Sequence, residues 1–325
     1  MKWPILFAAV ILTGCGLTVQ QKADSTAIAK ATVESGEFSS ENLAQLRRDI
    51  IDLQVAYYKI NPNAKCLDTD VGTCTIPLDQ GVTTDDLAPR IAISDALAAY
   101  GKTIDSLINA DHKEEIAEAA SDLRDSLASA SDKSEEFSLT DDQLDAISAL
   151  IDVAGRWNLE RQRKKALIEI SAGYATVIDQ VTPLLIQDLS LKWSSPCRPA
   201  FRDGRADNAP TSGAQKEDGI LDLYCSTAYN LKRNAKILID DSNSTDLQHA
   251  IRVDAVDAYV MAHNAQVNGF IISNTGTKLL SKLKDSADEL GRVAKDKNYK
   301  SEDIKELGKD LKSLSSSLKV LITKE

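Results

Sequence analysis

Apolar residues recur at intervals of three and four positions along most of this chain, with polar residues between them. The clearest run lies at the end of the sequence and consists of Ile304, Leu307, Leu311, Leu314, Leu318 and Leu321. Such spacing puts one apolar stripe along an α-helix, and strict alternation of three and four is typical of helices that pack against other helices. No segment has the apolar–polar alternation expected of strands. The pattern therefore predicts an all-α fold.

The same periodicity predicts helices over most of the remaining chain. One of them has a kink at Pro183, and together they cover residues 40–59, 83–110, 111–131, 140–185, 219–240 and 246–272. Just before a short link at Asn298, a second strict seam consists of Leu283, Ala287, Leu290 and Ala294. We therefore expect an elongated multi-helix bundle over residues 39–275 and a C-terminal antiparallel helical hairpin over residues 276–325.

The N-terminus has a different pattern from the body of the chain. Lys2 supplies a positive charge, residues 4–12 form an apolar run, and Thr13-Gly14-Cys15 follows. The run is too short to cross a bilayer, which needs roughly 20 residues. A positive start, a short apolar segment and a small-residue cleavage site are the parts of a secretory signal peptide.

The tetrad Leu12-Thr13-Gly14-Cys15 resembles the lipobox of bacterial lipoproteins. In that family the peptide is cleaved before the cysteine, which carries a diacylglycerol and usually an N-linked acyl chain such as palmitate. The resemblance implies a signal peptide over residues 1–14 and lipidation of Cys15, and it implies no other cofactor. Gly16 stands where an Asp favours inner-membrane retention in Gram-negative members, which implies an outer-membrane anchor facing the periplasm. The alternative is an ordinary secretory signal with a cysteine there by chance.

Composition narrows the class of protein further. Because cleavage would remove Lys2, the mature chain would have 311 residues with 37 basic and 49 acidic groups, a net charge of −12. A chain of this charge is not suited to coating nucleic acid. Residues 15–38 are polar, and we expect them to form a lipidated tether or a weak helix that lifts the body off the membrane.

Four cysteines follow the predicted lipidation site: Cys66, Cys74, Cys197 and Cys225. An even number of cysteines in an exported protein implies disulfides. Three pairings are possible, and we favour Cys66–Cys74 and Cys197–Cys225 because each pair brackets a polar loop. The alternative is a metal site, but no Cys-x-x-Cys pair or nearby histidine supports it.

A search for catalytic or metal-binding motifs finds little. Gly101-Lys102-Thr103 matches the end of a P-loop, but Ala96 stands where that loop needs a glycine. Asp68-x-Asp70-x-Gly72 is similar to part of a calcium loop, but Thr73 occupies the required glycine position. The three histidines, at positions 112, 249 and 263, form no constellation in the sequence. We therefore assign no catalytic residue and no metal.

A basic cluster is the remaining candidate surface, and its members are Arg156, Arg161, Arg163, Lys164 and Lys165. It could contact lipid phosphates, cell-wall polymer or an acidic partner, or it could be an ordinary solvated helix face. The expected function is that of a non-enzymatic envelope lipoprotein that binds or scaffolds an envelope or cell-wall partner through helix faces. The alternatives are a binding protein for a small or lipid-like ligand held between helices, and an envelope enzyme.

Overall fold

The computed structural model describes residues 17–61, 82–134, 137, 160–202, 219–240, 246–295 and 301–322. All regular secondary structure within these ranges is helical, and no strand occurs in them, which confirms the all-α prediction. The helices in chain order are α1 (Val19–Ile60), α2 (Thr84–Asn109), α3 (Lys113–Lys133), α4 (Glu160–Leu189), α5 (Pro199–Arg202), α6 (Ile220–Asp240), α7 (Asp246–Lys295) and α8 (Ser301–Ile322).

Helix α1 begins much earlier than the apolar pattern predicts. A capping box starts it: the Gln21 N–H donates to the Thr18 hydroxyl, and the Thr18 N–H donates to the Gln21 side chain. The helix has 42 residues, which corresponds to about 63 Å. Residues 19–38, which we expected to be part of a tether, are thus helical, and Ile28 and Phe38 in this stretch are buried.

The polar character of this first half of α1 has a structural explanation. Thr32, Ser35 and Ser39 are fully buried, and each hydroxyl donates to the backbone carbonyl four residues earlier in the same helix. A buried hydroxyl that finds an acceptor in its own helix avoids most of the cost of burial. The low hydrophobicity that suggested a tether therefore belongs to a packed helix face.

Helices α1 and α2 are in contact at the level of their backbones. A Cβ at Gly36 of α1 would lie 2.5 Å from the Ala98 nitrogen and 2.6 Å from the Ser94 carbonyl oxygen of α2. A Cβ at Gly101 of α2 would lie 2.6 Å from the carbonyl oxygen of Ala29 in α1. Only glycine fits at these two positions without moving a helix.

Helix α4 packs beside this pair through two buried tyrosines. The Tyr174 hydroxyl lies 2.6 Å from the Thr32 hydroxyl of α1, and the Tyr100 hydroxyl of α2 donates to the Ile170 carbonyl at 3.1 Å. The two ring centres are 5.1 Å apart. Burial raises the pKa of Tyr174 to about 12 and raises the pKa of Tyr100 further, so both phenols are neutral at physiological pH.

Helix α7 is continuous over 50 residues, whereas the pattern predicted that one helix would end near residue 272 and another would follow. Residues 273–277 include small and polar side chains that resemble a link, but Ser273 and Gly276 contact other parts of the fold. The Ser273 hydroxyl accepts a hydrogen bond from the Leu191 N–H, and Gly276 leaves room for Leu189, whose Cδ1 would lie 3.2 Å from an added Cβ.

The C-terminal part of α7 lies against the start of α1. The Gln21 side chain donates to the Val293 carbonyl at 2.7 Å, and Phe38 belongs to the same apolar cluster as Leu279. The two helices therefore run in opposite directions. Near the other end of α7, Arg252 donates to the Ile239 carbonyl and joins the start of α7 to the end of α6.

Helix α8 buries its predicted seam against α1 as well as α7. Ile304, Leu307 and Leu311 are buried, and the last two cluster with Ala31, Phe38 and Leu279. Lys282 of α7 forms an ion pair with Asp310 at 3.6 Å. The side chains of Leu318 and Leu321 lie outside the described residues, so their part of the seam stays a prediction.

We predict that Gly36→Ala and Gly101→Ala each destabilise the protein by about 1–3 kcal/mol, because the new Cβ must separate two backbones. Gly291→Ala is the matched control, since its nearest neighbour is the Ser171 Oγ at 3.7 Å. Alanine there should be neutral or stabilise α7 by up to about 1 kcal/mol. Urea unfolding of the acyl-free protein measures the free energy of unfolding of all three variants. Equal changes of stability in all three would contradict the close contact of α1 with α2.

We also predict that Leu311→Asp lowers stability by more than the roughly 1.5–3 kcal/mol that burial of a leucine is worth, because a carboxylate would replace it in the cluster. Ser313→Asp introduces the same group at an exposed position of α8 and should change the melting temperature little. An unchanged melting temperature for Leu311→Asp would mean that the seam is not buried within the molecule.

Candidate functional site

The predicted pairing of Cys197 with Cys225 is confirmed. The sulfur atoms are 2.00 Å apart, the Cα atoms are 5.5 Å apart, and both side chains are fully buried. Gly269 of α7 faces the bond, and a Cβ at that position would lie 2.7 and 2.8 Å from the two sulfur atoms. The disulfide thus joins the segment after α4 to α6 and rests on the backbone of α7.

Other predicted site residues cannot be placed in the same way. The residues that lie outside the described ranges are Cys15, Cys66, Cys74 and Arg156. Arg161 and Arg163 belong to the start of α4, and their side chains also lie outside the description. Lys164 is half-buried, and Lys165 is exposed and forms an ion pair with Glu169 at 3.6 Å. The basic surface therefore stays a prediction.

A polar cluster ties the disulfide-linked segment to α6 and α7. Lys232 Nζ lies 3.3 Å from His263 Nδ1, donates to Gln266 Oε1 at 3.1 Å and lies 5.5 Å from the centre of the Tyr259 ring. Gln266 donates in turn to the Pro196 carbonyl. Because an ammonium can only donate, this contact is a hydrogen bond only in the His263 tautomer that leaves Nδ1 unprotonated. The cluster is surrounded by structural contacts, and nothing in it has the geometry of a nucleophile with a base.

The other histidines do not join a catalytic arrangement in the described part of the chain. His112 is exposed at the start of α3, and the side chain of His249, in the first turn of α7, lies outside the description. Within the ranges that the structure describes, no three histidine, cysteine or acidic side chains are grouped so that they could hold a metal ion.

Helices α1, α2 and α3 border an open groove of about 700 Å³. Lys102 crosses it to form an ion pair with Glu37 at 3.2 Å. The other charged side chains of the lining are Asp95, Glu115, Glu118, Asp122 and Asp125. This lining is too polar for a lipid-like ligand, and no unsatisfied buried polar group among the described residues points into it. The groove is an acidic surface rather than a built binding site.

The N-terminal half of α7 presents a row of apolar side chains, which we call the valine stripe: Val253, Val256, Val260 and Ile271 are exposed, and Val267 is partly buried. Val253, Val256 and Val260 are 53%, 46% and 51% exposed. Their spacing of three, four, seven and four residues keeps them on one side of the helix. The opposite side is the packed one, and its buried residues include Ala255, Ala258, Ala262 and Ala265. The stripe is therefore a surface feature and not part of the core.

The valine stripe has a signal in the sequence, to which no role was assigned. The stretch 253–271 contains two apolar sets at helical spacing, one of alanines and one mainly of valines. An interpretation based only on apolar spacing would assign the larger side chains, mainly valines, to the buried side of the helix. In the structure the smaller set is buried, which leaves the valines exposed.

Comparison of the chain with protein-family models, with curated proteins and with solved structures found no match. Among the described helices, none combines the length and the apolar composition needed to cross a membrane. The candidate surfaces must therefore be judged from their own chemistry.

We predict that removing the disulfide by Cys197→Ala with Cys225→Ala costs about 3–4 kcal/mol of stability on chain-entropy grounds. Gly269→Ala should cost about 1–3 kcal/mol in the oxidised protein, because its Cβ meets both sulfur atoms. In the cysteine-free background the same change should cost little, since the sulfur atoms are gone. Denaturant unfolding of the four proteins measures the coupling. An equal cost of Gly269→Ala in both backgrounds would contradict the contact.

Proposed function

We propose that this protein is a non-enzymatic, lipid-anchored envelope protein that binds or scaffolds a partner protein through an exposed helix face. The single observation that supports partner binding best is the valine stripe on α7. Apolar side chains scattered singly over a surface are ordinary, but four exposed ones and one partly buried one in a row along a helix are typical of an interaction site. The lipobox at Leu12–Cys15 supports the anchor.

The proposed architecture is an elongated helical bundle with α8 and the C-terminal part of α7 forming an antiparallel hairpin. Two contacts support the hairpin: Lys282 pairs with Asp310, and Leu279 shares a cluster with Leu307 and Leu311. Because α8 also packs on α1, the hairpin would be part of the bundle and would not move independently of it.

The start of α1 packs near the C-terminal end of α7, whereas the valine stripe lies in the N-terminal half of α7. Helix α1 begins at Val19, four residues after Cys15, and its first turn contacts α7 at Val293. Val253 lies forty residues before Val293 in the same helix, which corresponds to about 60 Å. A lipid-anchored molecule of this form would hold the stripe away from its own membrane, where a second protein could reach it.

The anchor is tested by Cys15→Ser in a Gram-negative host supplied with labelled palmitate. We expect the variant to lose the label and to remain uncleaved at this site, because the modified cysteine is the substrate for cleavage in the family that the lipobox resembles. Gly16→Asp is the matched control: it should keep the label and move the protein from the outer to the inner membrane fraction. A Cys15→Ser protein that still matures and fractionates with membranes would contradict the anchor.

A further inference from the structure

We infer that the valine stripe docks one amphipathic helix of a partner protein, with an apolar seam bordered by lysine or arginine. This inference rests on the proposed partner-binding function and specifies its site and the chemistry of the partner. The stripe runs from residue 253 to residue 271, which is about 27 Å of helix. That length suits a partner helix of about five turns lying along α7.

The spacing of the stripe favours a helix as the occupant. Val253, Val256 and Val260 follow each other at three and four residues, and Val267 continues the series seven residues later, with the partly buried His263 at the position between. This is the spacing of a coiled-coil seam, in which each side chain enters a gap between four side chains of the facing helix. A loop or a strand would not match this repeat over the roughly four turns from Val253 to Val267.

The charge around the stripe favours a basic partner. On one flank, Asp257 borders the stripe directly, Asp254 lies one turn before Asp257, and both are exposed. On the other flank, the cationic groups of Arg252 and Lys232 already donate to the Ile239 carbonyl and to Gln266 Oε1, so the two aspartates are the charges available to a partner on the first flank. The mature chain has a net charge of −12 as well, so the surrounding field is negative. Residues that flank a coiled-coil seam select the partner through opposite charges.

The same charge argues against two other occupants. Two copies of this chain paired antiparallel about Val256 and Val260 would bring the Asp257 of each copy together, and like charges in an interface are unfavourable. An anionic membrane surface would repel the two aspartates in the same way. The start of α1, which follows the proposed lipidation site, also packs against the C-terminal part of α7, away from the stripe.

The first experiment uses the acyl-free protein and two synthetic helical peptides. Both carry leucines at alternating intervals of three and four; one has lysine at the flanking positions, and the other has glutamate. Fluorescence anisotropy should show micromolar binding of the lysine peptide and binding of the glutamate peptide that is weaker by about tenfold or more. Equal affinity for both peptides, or no binding of either, would overturn the inference.

Variants locate the binding to the stripe. Val256→Asp with Val260→Asp should abolish peptide binding while the melting temperature stays close to that of the wild type, because both valines are about half exposed. Ser121→Asp with Ala128→Asp is the control at two exposed positions of α3 outside the stripe; it adds the same charge and should bind normally. Asp254→Lys with Asp257→Lys should reverse the preference and favour the glutamate peptide. A preference that remains unchanged would contradict the role of charge.

Binding of the two competing occupants, a second copy of the chain and a lipid surface, is measured with the same proteins. Concentration-dependent dimerisation in sedimentation, lost in Val256→Asp with Val260→Asp, would assign the stripe to a second copy and overturn the inference. Binding to vesicles of phosphatidylethanolamine and phosphatidylglycerol, lost in the same variant, would assign it to lipid and would also overturn it.

The experiment in cells separates this inference from the proposed function. A photo-crosslinking amino acid is placed at Val256 of the full chain, or at Ser126 or Lys165 as controls. The inference predicts a crosslink at Val256 to a peptide that mass spectrometry identifies as a basic amphipathic helix. Crosslinks to a protein only from the control positions would overturn the inference and keep the proposed function. The absence of any protein crosslink from all three positions would contradict both.

Discussion

The direct contact between the backbones of α1 and α2 determines how the remaining helices are arranged. Gly36 and Gly101 allow this contact, and it holds the buried hydroxyl of Thr32 where Tyr174 of α4 can reach it at 2.6 Å. On the other side of α2, the Thr103 hydroxyl donates to the Ala119 carbonyl of α3 at 2.9 Å. Close contact of this kind depends on small side chains, and Ala29, Ser94 and Ala98 lie at the contact, beside the large apolar residues that make up most of the core.

Small-residue packing also explains which parts of the fold the sequence could predict. The leucine seam of α8 was recognised because large apolar residues at strict spacing have few uses other than burial, and Leu311 is fully buried. The burial of the first half of α1 was not recognised. The hydroxyls of Thr32 and Ser35 form hydrogen bonds within the helix, and in the sequence these residues look like solvent-exposed ones. Periodicity detects burial that is driven by apolar area and misses burial in which backbones approach each other closely.

The candidate site shows the same difference between features that leave a signal in the sequence and contacts that do not. The cysteine count and the predicted export implied that disulfides form, and the polar loop between Cys197 and Cys225 favoured this pairing among three possibilities. The role of Gly269 leaves no signal in the composition, because glycine is required there by a contact with two sulfur atoms that are far away in the sequence. The valine stripe was hidden for the opposite reason: its apolar residues looked like core positions of α7, and the alanines on the other side are the residues that pack.

Rigidity connects these features to the proposed role. A flexible tether would let the body of an anchored protein sample many heights above the membrane. Here α1 begins at Val19, and its first two turns are joined to α7 through Gln21 and to α8 through the hydrogen bond that Ser301 donates to Asp24. An anchor at Cys15 would therefore connect to a body of long, mutually packed helices. Because α7 continues without a break past residue 272, the height of the valine stripe would be set by helix length rather than by linker entropy.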